Sequence, residues 1–329
     1  MAYSQGGLIQ AADVNGFIRN NTTNFNRIWG DTTGTGNFGY GQNTTTNQLS
    51  AANVAVVNNT VNVNPWQTLV ATMVTAGAHQ GTTVSLTPAP AVGGLIQFLT
   101  NLSANLTSLE NNRMNAASQG SSTSATGSSG SAWGTEITFT ATVSFSSNNA
   151  ARYFFNCGGQ IRLSMGHSTQ ASTINTLVSD LCSDLGTIVL SSGGCTIAGT
   201  TYTGITQVGG VSGTSGTSTN TGLGFYSLTS GAQTVHTQAS DVTYMGGGAG
   251  GVNGAAAHTT NYTTDSRIYV TAAYNGSGTI TLTARVDVSS DIGGNKVNAG
   301  TTCTCTVNPP ETTNLTNSWG TPTVSVPNI

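Results

Sequence analysis

The sequence predicts an α+β protein in which a small N-terminal helical module precedes a mainly antiparallel β-sandwich. Three observations carry this. Apolar residues recur at helical spacing through about the first 115 positions, they recur at every second position after about residue 135, and the stretch between is almost wholly Gly, Ser and Thr. The expected organisation is a helical oligomerisation or attachment module over 1–116, a Gly/Ser/Thr-rich linker over 117–134, and a β-sandwich with a docking tail over 135–329.

In "AADVNGFIRNNTTNFNRIWG" the residues Val14, Phe17, Ile18, Phe25, Ile28 and Trp29 fall on one helical face, and Gly30 ends it. A second helix is predicted at "NPWQTLVATMV", with Asn64 as N-cap, Pro65 in the first turn and a stripe of Trp66, Leu69, Val70, Met73 and Val74 that stops near Gly77. The third, "GGLIQFLTNLSANLTSLENNRM", sets Leu95, Leu99, Leu102, Leu106 and Leu109 at heptad spacing. Three stripes on so short a module bury only a thin core, which predicts association between copies. Phe17, Trp29, Leu99, Leu102 and Leu106 are the candidate contacts, and a trimer is the first expectation, ahead of a larger ring. The glycine-rich segment between the first two helices contains neither a lysine nor a GxxxxGK[ST] motif, so it reads as a long loop rather than a phosphate cradle.

Beyond the linker, "EITFTATVSF", "IRLSM", "TIVLSS", "GFYSLTS", "RIYVTAAYN" and "TITLTARVDV" alternate as half-buried strands, with one helix at "STINTLVSDLCSDLG". "ARYFF" and "QIRLSM" read as two strands joined across Asn156, Cys157, Gly158 and Gly159. Arg152 and Arg162 flank that turn; they have the chemistry to hold a carboxylate or a sugar, but stacking on Tyr153 or a neighbouring ring is the favoured reading. Segments read as loops, "GTTYTGITQ" among them, supply Tyr202, Tyr244 and Tyr262 as candidate sugar-stacking residues. In the tail, Pro309, Pro310, Pro322 and Pro327 interrupt regular structure, and Trp319 is the expected docking anchor. The sandwich is expected to fold without the helices.

Charge excludes one large class of function. Only 6% of residues are charged, eight Lys and Arg stand against eleven Asp and Glu, and the single lysine is Lys296, so no basic surface for nucleic acid is expected. No basic, apolar leader and no apolar run long enough to span a membrane is evident, which points to synthesis in a cytoplasm. The five cysteines form no CxxC motif and read as small buried hydrophobes, a Cys182–Cys195 bridge staying open. His79, His167, His236 and His258 sit at no metal-ligand spacing, GxSxG is absent, and Asp180 with Asp184 reads as a solvated helix face rather than a hydrolase pair. No catalytic, cofactor or metal site is expected, and no enzymatic activity.

Five segments together carry a resemblance: "GGLIQAADVNGFIRNN…IWG…GNFGYGQ" with a later "W…AHQGT", then "ARYFFNCGGQIRLS", "GLGFYSLTSGAQTV" and "LTNSWGTPTVSV". In number and order they resemble a recurrent family of tailed-bacteriophage virion structural proteins. Cys157 departs from the family pattern, which has a small residue, often Ser, after "FFN". The resemblance implies a passive part of a virion in the neck, collar or tail-fibre region, assembled in the host cytoplasm as a homo-oligomer beside other neck or tail proteins. A carbohydrate-binding adhesin that meets a host-surface glycan is the alternative.

Overall fold

The computed structural model describes residues 16–17, 25–30, 38–42, 64–85, 99–168, 173–212, 216–239, 266–288 and 296–329. These form an α+β fold with two antiparallel sheets. The first runs in the order β1 (Thr123–Ser128), β10 (Thr301–Asn308), β3 (Gln160–His167), β4 (Thr187–Ile197), β5 (Thr200–Val208). The second runs β11 (Thr323–Ser325), β2 (Glu136–Ser144), β9 (Thr279–Asp287), β8 (Arg267–Tyr274), β7 (Gln233–Ala239), β6 (Ser218–Thr219). Alternation decides which side chains enter the core: Ile137, Phe139, Ala141 and Val143 of β2 are buried, as are Ile280, Leu282, Ala284 and Val286 of β9, while the threonines between them face outward. The sheets meet directly where β1 and β10 approach β2 and β11. Elsewhere a helix over Thr173–Leu185 lies between β3 and the pair β7–β8, burying Ile174, Leu177, Val178, Leu181, Cys182 and Leu185.

Three helices are described in the N-terminal part: α1 (Phe25–Trp29), α2 (Asn64–Gln80) and α3 (Leu99–Asn111). Two more follow, α4 (Asn148–Asn156) and α5, the wedge over Thr173–Leu185. Most of the predicted first helix lies outside the described residues. The second continues past Gly77 to Gln80. Gly77 is needed there for a close approach, since a Cβ on it would lie 2.5 Å from the Val84 side chain and 2.7 Å from the Thr82 carbonyl oxygen, and the Thr82 amide folds back onto the Gly77 carbonyl.

The expected oligomer seam is consumed inside the chain. Phe25, Ile28, Trp29, Leu69, Met73, Leu102, Leu106 and Leu109 are all buried within one hydrophobic cluster that also holds the sandwich core, and Phe17 packs against it. The side chain of Leu99 lies outside the described residues. Apolar stripes of this size are stabilised by burial at about 1.5–3 kcal/mol per large side chain, and here the three helices, packed on one another within the chain's single large core cluster, cover the stripes that a second copy was expected to cover.

Four further expectations are corrected. "ARYFF" is helical, not a strand: Ser147 caps α4 by accepting from the Ala150 amide at 3.1 Å, and Ala150, Ala151, Phe154 and Phe155 line one buried helical face. Gly158 ends it at φ +82°, where a Cβ would also lie 2.5 Å from the Ala116 Cβ. "GFYSLTS" is a short 3-10 turn over Phe225–Ser227 that stacks Phe225 on Phe155 at 4.3 Å between ring centroids. "GTTYTGITQ", read as a loop, is β5. The stretch read as a linker contains β1, paired to β10 along its length and bonded to it through Ser124–Thr306 and Thr126–Thr304 hydroxyl contacts of 2.8 Å each. Strand pairing gives those hydroxyls and backbone groups fixed partners, which composition alone does not reveal.

The tail is docked on its own sandwich. Leu315 and Trp319 are each 2% exposed, β11 pairs with the edge of β2, and the Ile329 amide donates to the Ser128 carbonyl at 3.0 Å. It therefore runs from the edge of one sheet to the edge of the other and closes that side of the sandwich.

Candidate functional site

Among the described residues a gathering of titratable side chains lies where the helical part, α4 and the tail converge. The last turn of α2 presents His79 and Gln80, both buried. His79 Nδ1 lies 2.9 Å from Glu311 Oε1. The Glu311 carboxylate also accepts from the Thr313 and Asn314 amides and from Asn314 Nδ2. Gln80 Nε2 donates to the Tyr40 hydroxyl at 2.6 Å and to the Leu109 carbonyl at 3.0 Å. The Tyr40 ring meets His79 edge-on at 5.4 Å.

The segment Phe38–Gln42 is pinned into this joint from both sides. On the tail side Gln42 exchanges two bonds with the Thr316 backbone, at 2.7 and 2.8 Å, as a strand residue would, and Ser318 Oγ donates to the Tyr40 carbonyl at 2.5 Å. On the α4 side Asn156 Nδ2 donates to the Gly39 carbonyl at 2.8 Å and Asn156 Oδ1 accepts from the Tyr226 hydroxyl. Phe38 lies beneath the guanidinium groups of Arg27 and Arg113, at 3.4 and 4.2 Å from the ring centroid, and Arg27 pairs with Glu110 at 3.6 Å.

The residue types here, Cys157, His79 and Glu311, are those of a nucleophile, a base and its orienting acid. Their environment opposes that chemistry. Cys157 is fully buried; burial, with Glu311 nearby adding to it, pushes its thiol well above the ordinary value, and its Sγ lies 3.9 Å from the Tyr40 carbonyl. Burial likewise pushes the Tyr40 hydroxyl up, against the bond from Gln80. For Glu311 burial acts upward as well, but His79 and the Asn314 donors outweigh it and hold the carboxyl at about 2. The arrangement stores a charged clamp rather than a reactive thiolate.

The other predicted residues fall elsewhere. Tyr202 is 6% exposed on β5, in a small cluster with Ala116, Val189, Cys195 and Ile197, and offers no ring face to solvent. Tyr244 and Tyr262 lie outside the described residues. All five cysteines are buried and free, so no Cys182–Cys195 bridge forms; Cys182, Cys303 and Cys305 are each pushed up to about 12, chiefly by burial. Arg152 lies over the Tyr153 ring at 5.4 Å. Among the described residues no three His, Cys, Asp or Glu side chains are gathered to hold a metal ion, and no helix is long and apolar enough to cross a membrane.

Reading by motif missed the His79–Glu311 pair because its members are separated by 232 positions. The available signal was Glu311 itself, the last charged residue of the chain, set directly after two prolines in an otherwise neutral tail. Comparison of the chain with protein-family models, curated proteins and solved structures finds no match.

Proposed function

We propose that the chain is a passive structural component of a tailed-phage virion, of neck, collar or tail-fibre type, with no enzymatic role. The observation that supports this reading is the fate of its reactive groups: His79, Glu311, Tyr40 and Cys157 are buried and clamp an N-terminal segment, α4 and the C-terminal tail to one another. A clamp of this kind resists mechanical separation of the chain's distant parts and keeps these four groups away from solvent. Outward-facing positions of β2, β9 and β10 are mostly Thr, which keeps the surface hydrated with little charge. The five-segment resemblance points the same way. In this reading the chain assembles in the host cytoplasm into a homo-oligomer, a trimer first, and its contacts lie outside the helical stripes that the chain itself already covers.

Mass spectrometry of density-purified particles of the virus encoding the chain tests this directly. Several copies per particle are expected, with loss of a neck, collar or fibre feature when the gene is interrupted. Complete absence from purified particles would overturn the reading.

A further inference from the structure

The tail closes one side of the sandwich. The other side is closed by the chain that leaves β5, the edge strand of the first sheet, and returns as β6, the edge strand of the second. Side chains stitch this closure together in one continuous series of hydrogen bonds. Gln207 Nε2 donates to the Asp184 carbonyl at 2.9 Å, to the Leu185 carbonyl at 3.2 Å and to Gln238 Oε1 at 2.9 Å. Gln238 Nε2 donates to the Ala239 carbonyl at 3.0 Å, and to the Val211 carbonyl and Thr217 Oγ1 at 3.4 Å each. Gln238 Oε1 also lies 3.3 Å from His236 Nε2, and His236 Nδ1 lies 2.7 Å from Thr219 Oγ1.

The direction of the bonds that reach His236 follows from the carbonyl end of the series. The Asp184 and Leu185 carbonyls only accept, so the Gln207 atom facing them is its amide nitrogen, and the Gln238 atom facing that nitrogen is its oxygen. This oxygen accepts from His236, which therefore carries its proton on Nε2. The neutral ring then has a lone pair on Nδ1, and the Thr219 hydroxyl donates to it. Both ring nitrogens are satisfied, and the imidazole pins β6 to β7, where Ser218 and Thr219 pair with Thr237 and His236.

A second proton breaks this arrangement. It binds at Nδ1 and turns that atom into a donor facing a donor, so the Thr219 hydroxyl has to rotate and give up its bond. The cation so formed is enclosed: His236 is 1% exposed, and among the described residues no carboxylate lies within ion-pair distance of it. The connection 209–223, β6 included, has no ionisable side chain. Of the other elements packed on β7, β8 carries Arg267, Tyr269 and Tyr274, and α5 carries Asp180, Cys182 and Asp184. The ring's hold on the proton is set first by burial, which lowers it, and then by the Gln238 bond, which raises it. An enclosed cation without a counter-ion is unfavourable, whereas water solvates it once the ring is uncovered. We propose that His236 is an acid-operated latch, whose protonation releases β6 and the segment 209–223 and opens the side of the sandwich opposite the tail. No path for the proton through the closed form is needed, because transient opening uncovers the ring and protonation then holds it open. Since the closed form binds the proton less tightly than the unfolded chain does, the latch holds fully above the ordinary value of 6.5 and weakens as the pH falls below it. The inference stands independently of the virion reading, since it rests only on contacts within the chain.

Hydrogen-exchange mass spectrometry of the full chain between about pH 8 and about pH 5, corrected for the intrinsic exchange rate, reads the opening. Peptides covering 216–223 and the facing part of β7 are expected to lose protection as the pH falls below 6.5, by up to about tenfold per pH unit, the limit that one proton sets. Peptides of the tail, 315–326, are expected to keep theirs, since Glu311 stays ionised over this range. His236→Asn retains an acceptor near the place of Nδ1 but does not titrate, and is expected to abolish the pH dependence at 216–223. His236→Gln serves where the asparagine variant does not fold, and the wild-type measurement decides without either. His167→Gln, at another buried histidine outside the joint, is expected to leave the pH dependence of 216–223 unchanged. Constant protection of 216–223 in the wild-type chain overturns the proposal. So does a loss shared equally by the tail, the same pH dependence in a folded His236 variant, or its disappearance in folded His167→Gln.

Discussion

Replacing Glu311 by glutamine keeps the shape of the clamp and removes its charge, which makes the consequence calculable. In the folded chain the carboxyl is held at about 2 against an ordinary value of 4.5, a depression of about 4.5 − 2 = 2.5 pH units. At roughly 1.4 kcal/mol per unit this amounts to about 3.5 kcal/mol, or about 2–3 kcal/mol once solvent screening is allowed for. Because the folded value lies below the unfolded one, the contribution is fully present above 4.5 and is lost as the pH falls through 4.5 toward 2. Glu311→Gln is therefore expected to melt several degrees below the wild type at neutrality, with the gap closing on acidification. Differential scanning calorimetry of both proteins from neutrality to about 2 reads this directly. Melting curves that stay parallel over that range would refute the clamp, because the charge on Glu311 would then contribute nothing specific to the fold.

Trp319→Ala empties a site that is 2% exposed and is expected to cost about 3–5 kcal/mol, measured by urea unfolding; a change under about 1 kcal/mol would mean that the indole is not an anchor. The five thiols are expected to resist a thiol-reactive dye in the native protein and to react together on unfolding; rapid native labelling of Cys157 would contradict its burial. Residues 132–329 expressed alone are now expected to aggregate or melt without cooperativity, because the cut removes β1 and leaves Glu311 without His79; a sharp calorimetric transition would show the sandwich to be autonomous after all.

Strands β2, β3, β8 and β9 were legible because each buries one face and leaves the other exposed or half-buried, so that period-2 alternation records their environment. The failures share a cause. "ARYFF" is rich in aromatics that favour strands, and what makes it a helix is a serine cap before it and a buried face that can be recognised only once a partner surface is known. Residues 123–128 have the composition of a linker, yet β10 offers them a hydroxyl-bearing edge that satisfies both backbone and side chains. The leucine spacing of α3 was real, but spacing does not say whether the covering surface comes from another copy or from the same chain. The joint was the least legible part, because its members come from positions 38–42, 79–80, 156–157 and 311–318 and no local pattern links them.

The scarcity of charge gives each arginine unusual weight. A chain with 6% charged residues has few acids with which to neutralise a guanidinium, and it uses aromatic faces as well. Arg27 and Arg113 share Phe38, Arg152 lies over Tyr153, and Arg285 lies over Tyr269 at 4.8 Å while also facing Glu136 and Asp287. The contacts of Arg27, Arg113 and Arg285 bind one part of the fold to another, whereas Arg152 and Tyr153 are neighbours on α4. Arg162 differs among the described residues: its guanidinium faces an amide and a hydroxyl instead, Nη2 donating to Gln160 Oε1 at 2.8 Å and lying 3.5 Å from the Tyr202 hydroxyl, so that it links β3 to β5 across the outer face of the sheet.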